Sequence, residues 1–133
     1  MGSFADFIED AFLDHLVGKT AYTMPTAYVG LFTTAPTDAG GGVEVSGGSY
    51  VRQSTIGDDW NASSGGSISN VNDITFPEAT ADWGTVTHFA LFDASSGGNM
   101  LAWGALTTSK TIETGEIAKF AGATPGDLVL TLD

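Results

Sequence analysis

The chain has 133 residues, enough for one domain with a substantial core, and a composition of 42% hydrophobic and 15% charged residues argues against disorder. Sixteen acidic residues outweigh four basic ones and give a net charge of −12. The four bases are scattered along the chain: Lys19, Arg52, Lys110 and Lys119. So few dispersed cations cannot neutralise a row of phosphates, which argues against nucleic acid or an anionic membrane as the partner.

Other classes are disfavoured by what the sequence lacks. The chain contains no cysteine, so neither disulfides nor thiolate chemistry is expected. No apolar run reaches the roughly 18 residues of a membrane span, and the N-terminus has no basic segment followed by an apolar one. We therefore expect no membrane span and no secretory leader, and we interpret the acidity as a charge that keeps dense arrays of copies soluble and mutually repelling.

The first element in the chain is a predicted helix over residues 3–17, SFADFIEDAFLDHLV. Its apolar residues recur at helical spacing on one face: Phe4, Phe7, Ile8, Ala11, Phe12 and Leu16. Ser3 is placed to cap the helix, with Asp6 at capping-box spacing. Gly18 is placed to end it, and Lys19 follows where a cation suits the helix dipole.

The apolar face of this helix needs a partner surface. It can pack on the sheet of its own domain, which is the usual way in which such faces are buried. Alternatively, the helix can act as an arm that packs against a neighbouring subunit or another particle. The pattern leaves both alternatives open.

From Thr20 onward, short apolar runs are separated by Gly, Pro, Asn and Asp, which predicts strands and turns. The predicted strands are residues 26–34, 49–55, 74–76, 84–93, 99–107, 114–121 and 127–133. Pro77 is expected to end the third of these runs. The pentapeptide ASSGG occurs at 62–66 and again at 94–98, which indicates recurrent turns and not a duplicated domain.

This order predicts an all-β fold: a single β-sandwich or jelly-roll domain at 20–133, preceded by one N-terminal amphipathic α-helix at 1–19. No linker divides the chain, so one domain is expected.

His88 is the residue that most invites an active-site interpretation, since it lies in the apolar stretch ADWGTVTHFALFD between Asp82 and Asp93. Alternation along the strand places several side chains on one face: Val86, His88, Ala90 and Phe92. Both faces are largely apolar, so both should be covered, the second of them by another subunit. At about 3.3 Å per residue the two acids are too far from His88 for direct contact within the strand. We therefore interpret His88 as a structural histidine at a core edge or a subunit contact.

No catalytic or metal-binding pattern is complete. No serine occupies a G-x-S-x-G elbow, and His15 and His88 lack the spacing and the cysteines of a zinc site. The segment GDDWN at 57–61 does not match a calcium loop, and the Gly-rich segment 38–48 lacks the Walker lysine. The sixteen acids single out no glycosidase pair. We predict no enzymatic activity, no metal and no cofactor.

The three tryptophans are the remaining candidates. Trp103 lies within a strand and is expected in the core. Trp60 and Trp83 lie in or beside loops, where they could stack on a sugar ring or, as large aromatics more often do, anchor the loops.

Three long stretches resemble a known family. They are FIEDAFLDHLVGKTAYTMPTAYVGLF, YVGLFTTAPTDAGGGVEVSGGSYVRQ and ITFPEATADWGTVTHFALFDASSGGNMLAWGALTTSKTI, which together cover most of the chain. The sequence is similar to small virion proteins of tailed bacteriophages, of the tail-fibre-like and capsid decoration types. The resemblance implies a non-enzymatic β-sandwich on the surface of the phage particle, assembled in the host cytoplasm.

The resemblance leaves two roles open. The first is a decoration or cement protein, a homo-oligomer (a trimer) that bridges subunits of the major capsid protein. Its expected interface residues are Phe4, Phe7, Ile8, Phe12, Trp83 and His88. The second is a component of a tail fibre or tail tip that contacts tail proteins or host glycan, with Trp60 and Trp83 as the glycan contacts.

Overall fold

Short apolar segments between glycine-rich turns pair into antiparallel sheets. The computed structural model describes residues 2–131, and their elements are β1 (Gly2–Phe4), α1 (Asp6–Leu16), β2 (Ala27–Thr34), β3 (Val43–Glu44), β4 (Gln53–Thr55), β5 (Ser67–Ser69), β6 (Ile74–Glu78), β7 (Gly84–Phe92), β8 (Met100–Ile112), β9 (Ile117–Phe120) and β10 (Val129–Thr131). A 3₁₀ turn, Gly57–Asp59, lies between β4 and β5. The predicted all-β fold with one N-terminal helix is confirmed.

The main sheet has the strand order β1-β8-β7-β2-β3, and β4 also pairs with β2. Two smaller sheets, β10-β5 and β6-β9, supply the opposing layer, because their side chains share one core with those of the main sheet. Val29 and Phe89 of the main sheet pack in this core with Phe76 and Phe120 of the β6-β9 sheet. Two antiparallel layers around one such core form a β-sandwich.

The N-terminal helix is shorter than predicted. Ser3 is a strand residue in β1 and does not cap the helix, since its hydroxyl donates to Asp38 Oδ1 at 2.8 Å. Pairing with β8 extends the first residues, and α1 begins at Asp6, after Ala5, with no side-chain cap. The predicted end of the helix, at residue 17, is close to the observed end at Leu16. Gly18 has a φ of +75°, the left-handed conformation that glycine adopts at helix ends.

The pairing of β7 with β8 slips in the middle. Val86 lies opposite Lys110, whereas His88 lies opposite Ala105, so that residues 106–109 of β8 bulge outward opposite the single residue Thr87. The prediction that Val86 shares a face with His88 is therefore wrong. Val86 points into the main core with Phe89, while His88 lies on the opposite face near Trp103, because a bulge interrupts the alternation of the strand.

The remaining strand predictions differ mainly at boundaries. The strand β8 runs five residues further than predicted, to Ile112, and Pro77 lies within β6 and does not end it. The short strands β3 and β5 lie in segments predicted as loops. Both ASSGG copies form turns, with consecutive glycines at positive φ at 65–66 and 97–98.

Candidate functional site

The most elaborate polar group in the structure surrounds Arg52, whose side chain is 7% exposed. Its guanidinium donates to both carboxylate oxygens of Glu44 at 2.8 Å and to the backbone oxygens of Ala94 and Gly97 at 2.9 Å. It also lies 3.5 Å above the ring centroid of Phe92. A planar guanidinium is suited to such simultaneous pairing and stacking. This network ties the β7–β8 turn to β3, which contains Glu44 and lies at one edge of the main sheet.

Tyr50 completes the network from the core side. Its hydroxyl donates to Glu44 Oε2 at 2.7 Å and accepts from the amide of Leu31 at 2.9 Å. Burial, more than the neighbouring carboxylate, raises the pKa of Tyr50 well above its ordinary value, so the hydroxyl stays protonated. Because all these groups satisfy one another, the network holds the fold together and offers no free acid, base or nucleophile.

His88 belongs to a second polar cluster on the outer face of the main sheet. It is half-buried, lies 6.0 Å from Trp103 between ring centroids, and hydrogen-bonds Thr87 through Nδ1 at 2.8 Å. Trp103, predicted in the core, is only half-buried at the edge of this face and donates from Nε1 to Asp38 at 2.8 Å. Hydrogen bonds from Trp103 and then Ser3 lower the pKa of Asp38.

The outer face of β7 is covered in part by the chain itself. A small cluster of buried residues lies there: Ala5, Phe32, Ala90, Phe92 and Met100. Arg52 covers Phe92 on the outside. The second face of β7 is thus covered around Ala90 and Phe92, as expected, but the cover comes from the same chain and not from another subunit.

The two acids that flank His88 in sequence are used elsewhere. Asp82 accepts from the backbone amide and the hydroxyl of Thr114 at 2.9 and 3.0 Å, and these bonds lower the pKa of Asp82. Asp93 accepts from the backbone and side chain of Asn99 and closes the β7–β8 turn. Neither acid can orient His88 for proton transfer, since both are held in turns at the strand ends.

Neither candidate glycan-contact tryptophan is freely exposed. Trp83 is 5% exposed, lies in the main core, and donates from Nε1 to the oxygen of Gly48 at 2.9 Å. Trp60 is half-buried against the same core and donates to Thr55 Oγ1 at 3.1 Å. Both indoles therefore anchor loops, and Trp83 in particular has no face to offer to a sugar ring or to a second subunit.

The helical candidates divide into buried and accessible residues. Ile8 is 1% exposed and docks α1 on its own domain. Phe4 and Phe12 are half-buried and in edge contact, with ring centroids 5.2 Å apart. Phe7 is 41% exposed and contacts Tyr22, which follows the helix. The helix thus packs mainly within its own chain through Ile8.

Three apolar residues at the end of the helix remain uncovered. Leu13, Leu16 and Val17 are 61%, 78% and 77% exposed. We call these three residues the helix patch. Helical spacing predicts Leu16 on the apolar face but does not single out Leu13 and Val17, because the docking of Ile8 decides which side of α1 faces the sheet.

A groove opens at the other end of the main sheet, between β8 and the β9 and β10 strands, with a volume of about 600 Å³. The bulged part of β8 lines one side with Leu106, and Ile117 of β9, which is 56% exposed, lines the other. Core residues form the floor, including Phe76 and Val86. Lys110 and Lys119 line the groove together with Asp127 and other polar residues.

Other kinds of site find no support within residues 2–131. These residues contain no group of three or more His, Asp or Glu that could hold a metal ion. No helix in this range is long and apolar enough to cross a membrane. The features that stand out are two surfaces, the helix patch and the groove.

Residues 2–131 form a β-sandwich whose most developed surface features are the helix patch and the groove. Residues 3–130 match the family described as podophage GP4 fiber I protein gp80, and the chain belongs to that family. It is therefore a phage virion structural protein, as the resemblance predicted at this level. No curated protein matches the chain closely enough to count as a relative.

Proposed function

We propose that the chain is a non-enzymatic subunit of a fibre on the phage particle and acts by contact with neighbouring virion proteins. The observation that carries the proposal is the family match over residues 3–130, since it spans almost the whole chain and the family is described as a fibre protein. The location on the virion and assembly in the host cytoplasm are part of the proposal.

The side chains support a structural role. The polar groups that looked catalytic in sequence are engaged elsewhere: Asp82 and Asp93 are bound in turns, and His88 hydrogen-bonds the neighbouring Thr87 within β7. The helix patch brings together three neighbouring apolar residues that are each more than half exposed. Such a patch marks a contact surface on a soluble domain.

The glycan-binding form of the fibre hypothesis loses its two candidate residues, because Trp83 is buried and Trp60 is half-buried. The burial of these side chains supports the proposal that the chain lies within or at the base of the fibre, as a connecting subunit, and not at a tip that contacts host glycan.

A decoration or cement protein is the second candidate. It is supported by the fold class, since residues 2–131 form a small β-sandwich, which is the kind of domain that the resemblance implies for cement proteins. In this role the helix patch would be the arm that contacts the major capsid protein, and a homotrimer would sit where capsomers meet.

The copy number per virion separates the two candidates. Quantitative mass spectrometry of purified particles should give a few copies for a fibre subunit, and electron microscopy with a specific antibody should label an appendage. A ratio to the major capsid protein near parity, with labelling over the head, would establish the cement role instead. Absence of the protein from purified virions would refute both.

A further inference from the structure

The helix patch has the pattern of a segment that inserts into a groove. Leu13, Leu16 and Val17 stand at positions i, i+3 and i+4, the spacing of anchors on a helix that docks into an apolar groove. Glu9 and Asp10 lie four and three residues before Leu13, on the same side of α1, and both are exposed. The surface therefore combines an apolar ridge with a negatively charged border.

The groove is complementary to the helix patch and its border, since it offers both apolar surface and positive charge. Its apolar surface includes Ile117, which is 56% exposed, and the half-buried Leu106. Of the four basic residues in the chain, two line this groove, Lys110 and Lys119, although the chain as a whole carries a charge of −12. Lys119 has only a loose exposed pair with Asp73, at 3.7 Å, which leaves it available to a stronger partner.

The start of α1 and the groove lie towards different ends of β7. The start of α1 is fixed by the amide of Ala5, which donates to the oxygen of Leu101 at 2.9 Å, and by the buried Ile8. Leu101 follows directly after the β7–β8 turn, so the start of α1 lies near that turn. Val86, at the groove, is seven residues from Asp93 along β7, or about 23 Å at 3.3 Å per residue.

We propose that the helix patch of one copy binds in the groove of a second copy, with Glu9 and Asp10 facing Lys110 and Lys119. The inference rests on the proposed structural function and names the partner. The contact joins two different surfaces, so the assembly is head-to-tail, and it closes into a ring when the rotation between copies permits.

Sedimentation velocity of the untagged chain over a concentration series tests the inference. The wild type should form a discrete oligomer that dissociates on dilution and weakens as salt is raised, since salt screens the exposed charges. A helix variant, Leu13→Ser with Leu16→Ser, and a groove variant, Lys110→Glu with Lys119→Glu, should each raise the dissociation constant about tenfold or more.

Matched controls separate assembly from folding. Ile56→Ser removes an apolar side chain that is 65% exposed in a loop outside both surfaces, and it should leave assembly unchanged. Lys110→Arg with Lys119→Arg keeps the charge and should also assemble. Each variant should retain the thermal midpoint of the wild type within the small range usual for surface substitutions.

Mixing the two defective variants provides the decisive observation. Each should be monomeric alone, but an equal mixture should form a dimer, because the groove variant still offers an intact helix patch and the helix variant an intact groove. A mixture that stays monomeric, or a groove variant that assembles like the wild type, would overturn the inference.

A result that refutes self-association can be distinguished from a result that refutes the proposed function. A wild type that remains monomeric, or that binds a purified capsid or tail protein through the helix patch, overturns the self-association. Neither result changes the copy number in the virion, on which the proposed function is judged.

Discussion

Replacing Arg52 by Ala should destabilise the domain far more than loss of an ordinary ion pair. The substitution removes four hydrogen bonds and the stacking on Phe92, and it leaves the Glu44 carboxylate, which is 24% exposed, without its cation. Breaking a buried pair in this way costs about 3–5 kcal/mol. For a domain of this size the thermal midpoint should fall by roughly 4 °C for each kcal/mol, about 12–20 °C in all.

Urea denaturation followed by tryptophan fluorescence measures this loss, provided that the dependence of unfolding free energy on urea concentration is the same in both proteins. The matched control is Lys119→Ala, which breaks the exposed pair with Asp73 at 3.7 Å and should cost less than about 1 kcal/mol. If Arg52→Ala costs no more than Lys119→Ala, the network contributes nothing beyond a surface pair and the reasoning is refuted.

Three further predictions concern single side chains. Asp38→Asn should lower the thermal midpoint at neutral pH, and this difference from wild type should shrink as the pH falls below about 4. The reason is that the hydrogen bond from Trp103 lowers the folded-state pKa of Asp38, so the stabilisation is lost when the carboxylate is protonated. A difference that does not change with pH would contradict this reasoning. Gly30→Ala should cost about 1–3 kcal/mol in urea denaturation, since its Cβ would lie 2.8 Å from Glu44 Oε2, and a neutral effect would show that the network can shift. Trp60→Ala should destabilise the fold. Virions that carry the folded variant should adsorb to host cells as well as wild-type virions do, and reduced adsorption would restore the glycan-contact hypothesis.

The elements predicted well are those whose signal is local. The periodicity of α1 and the long apolar runs of β2 and β7 are properties of consecutive residues, and turn residues marked their ends. Ser3 was misassigned because a capping pattern is also local, whereas its position in β1 is set by pairing with β8 a hundred residues later. The short strands β3 and β5 likewise exist only through their partners.

The candidate sites were less predictable, since they depend on contacts between distant segments. Trp83 looked like a loop residue, but a hydrogen bond to Gly48 and packing against Phe76 bury it. Arg52 drew attention only as one of four scattered bases, because nothing in the sequence reveals that Glu44 and the β7–β8 turn converge on it. The groove is formed by a bulge that no alternation pattern indicates.

The antiparallel pairing of β1 with β8 has a consequence for producing this protein. Gly2 lies opposite Gly104, and Leu106, two residues further along β8, lines the groove. At the other end, Val129 lines the same groove only two residues before Thr131. A tag fused close to these residues would therefore crowd one surface, so the binding behaviour of a recombinant preparation should be measured after the tag has been removed.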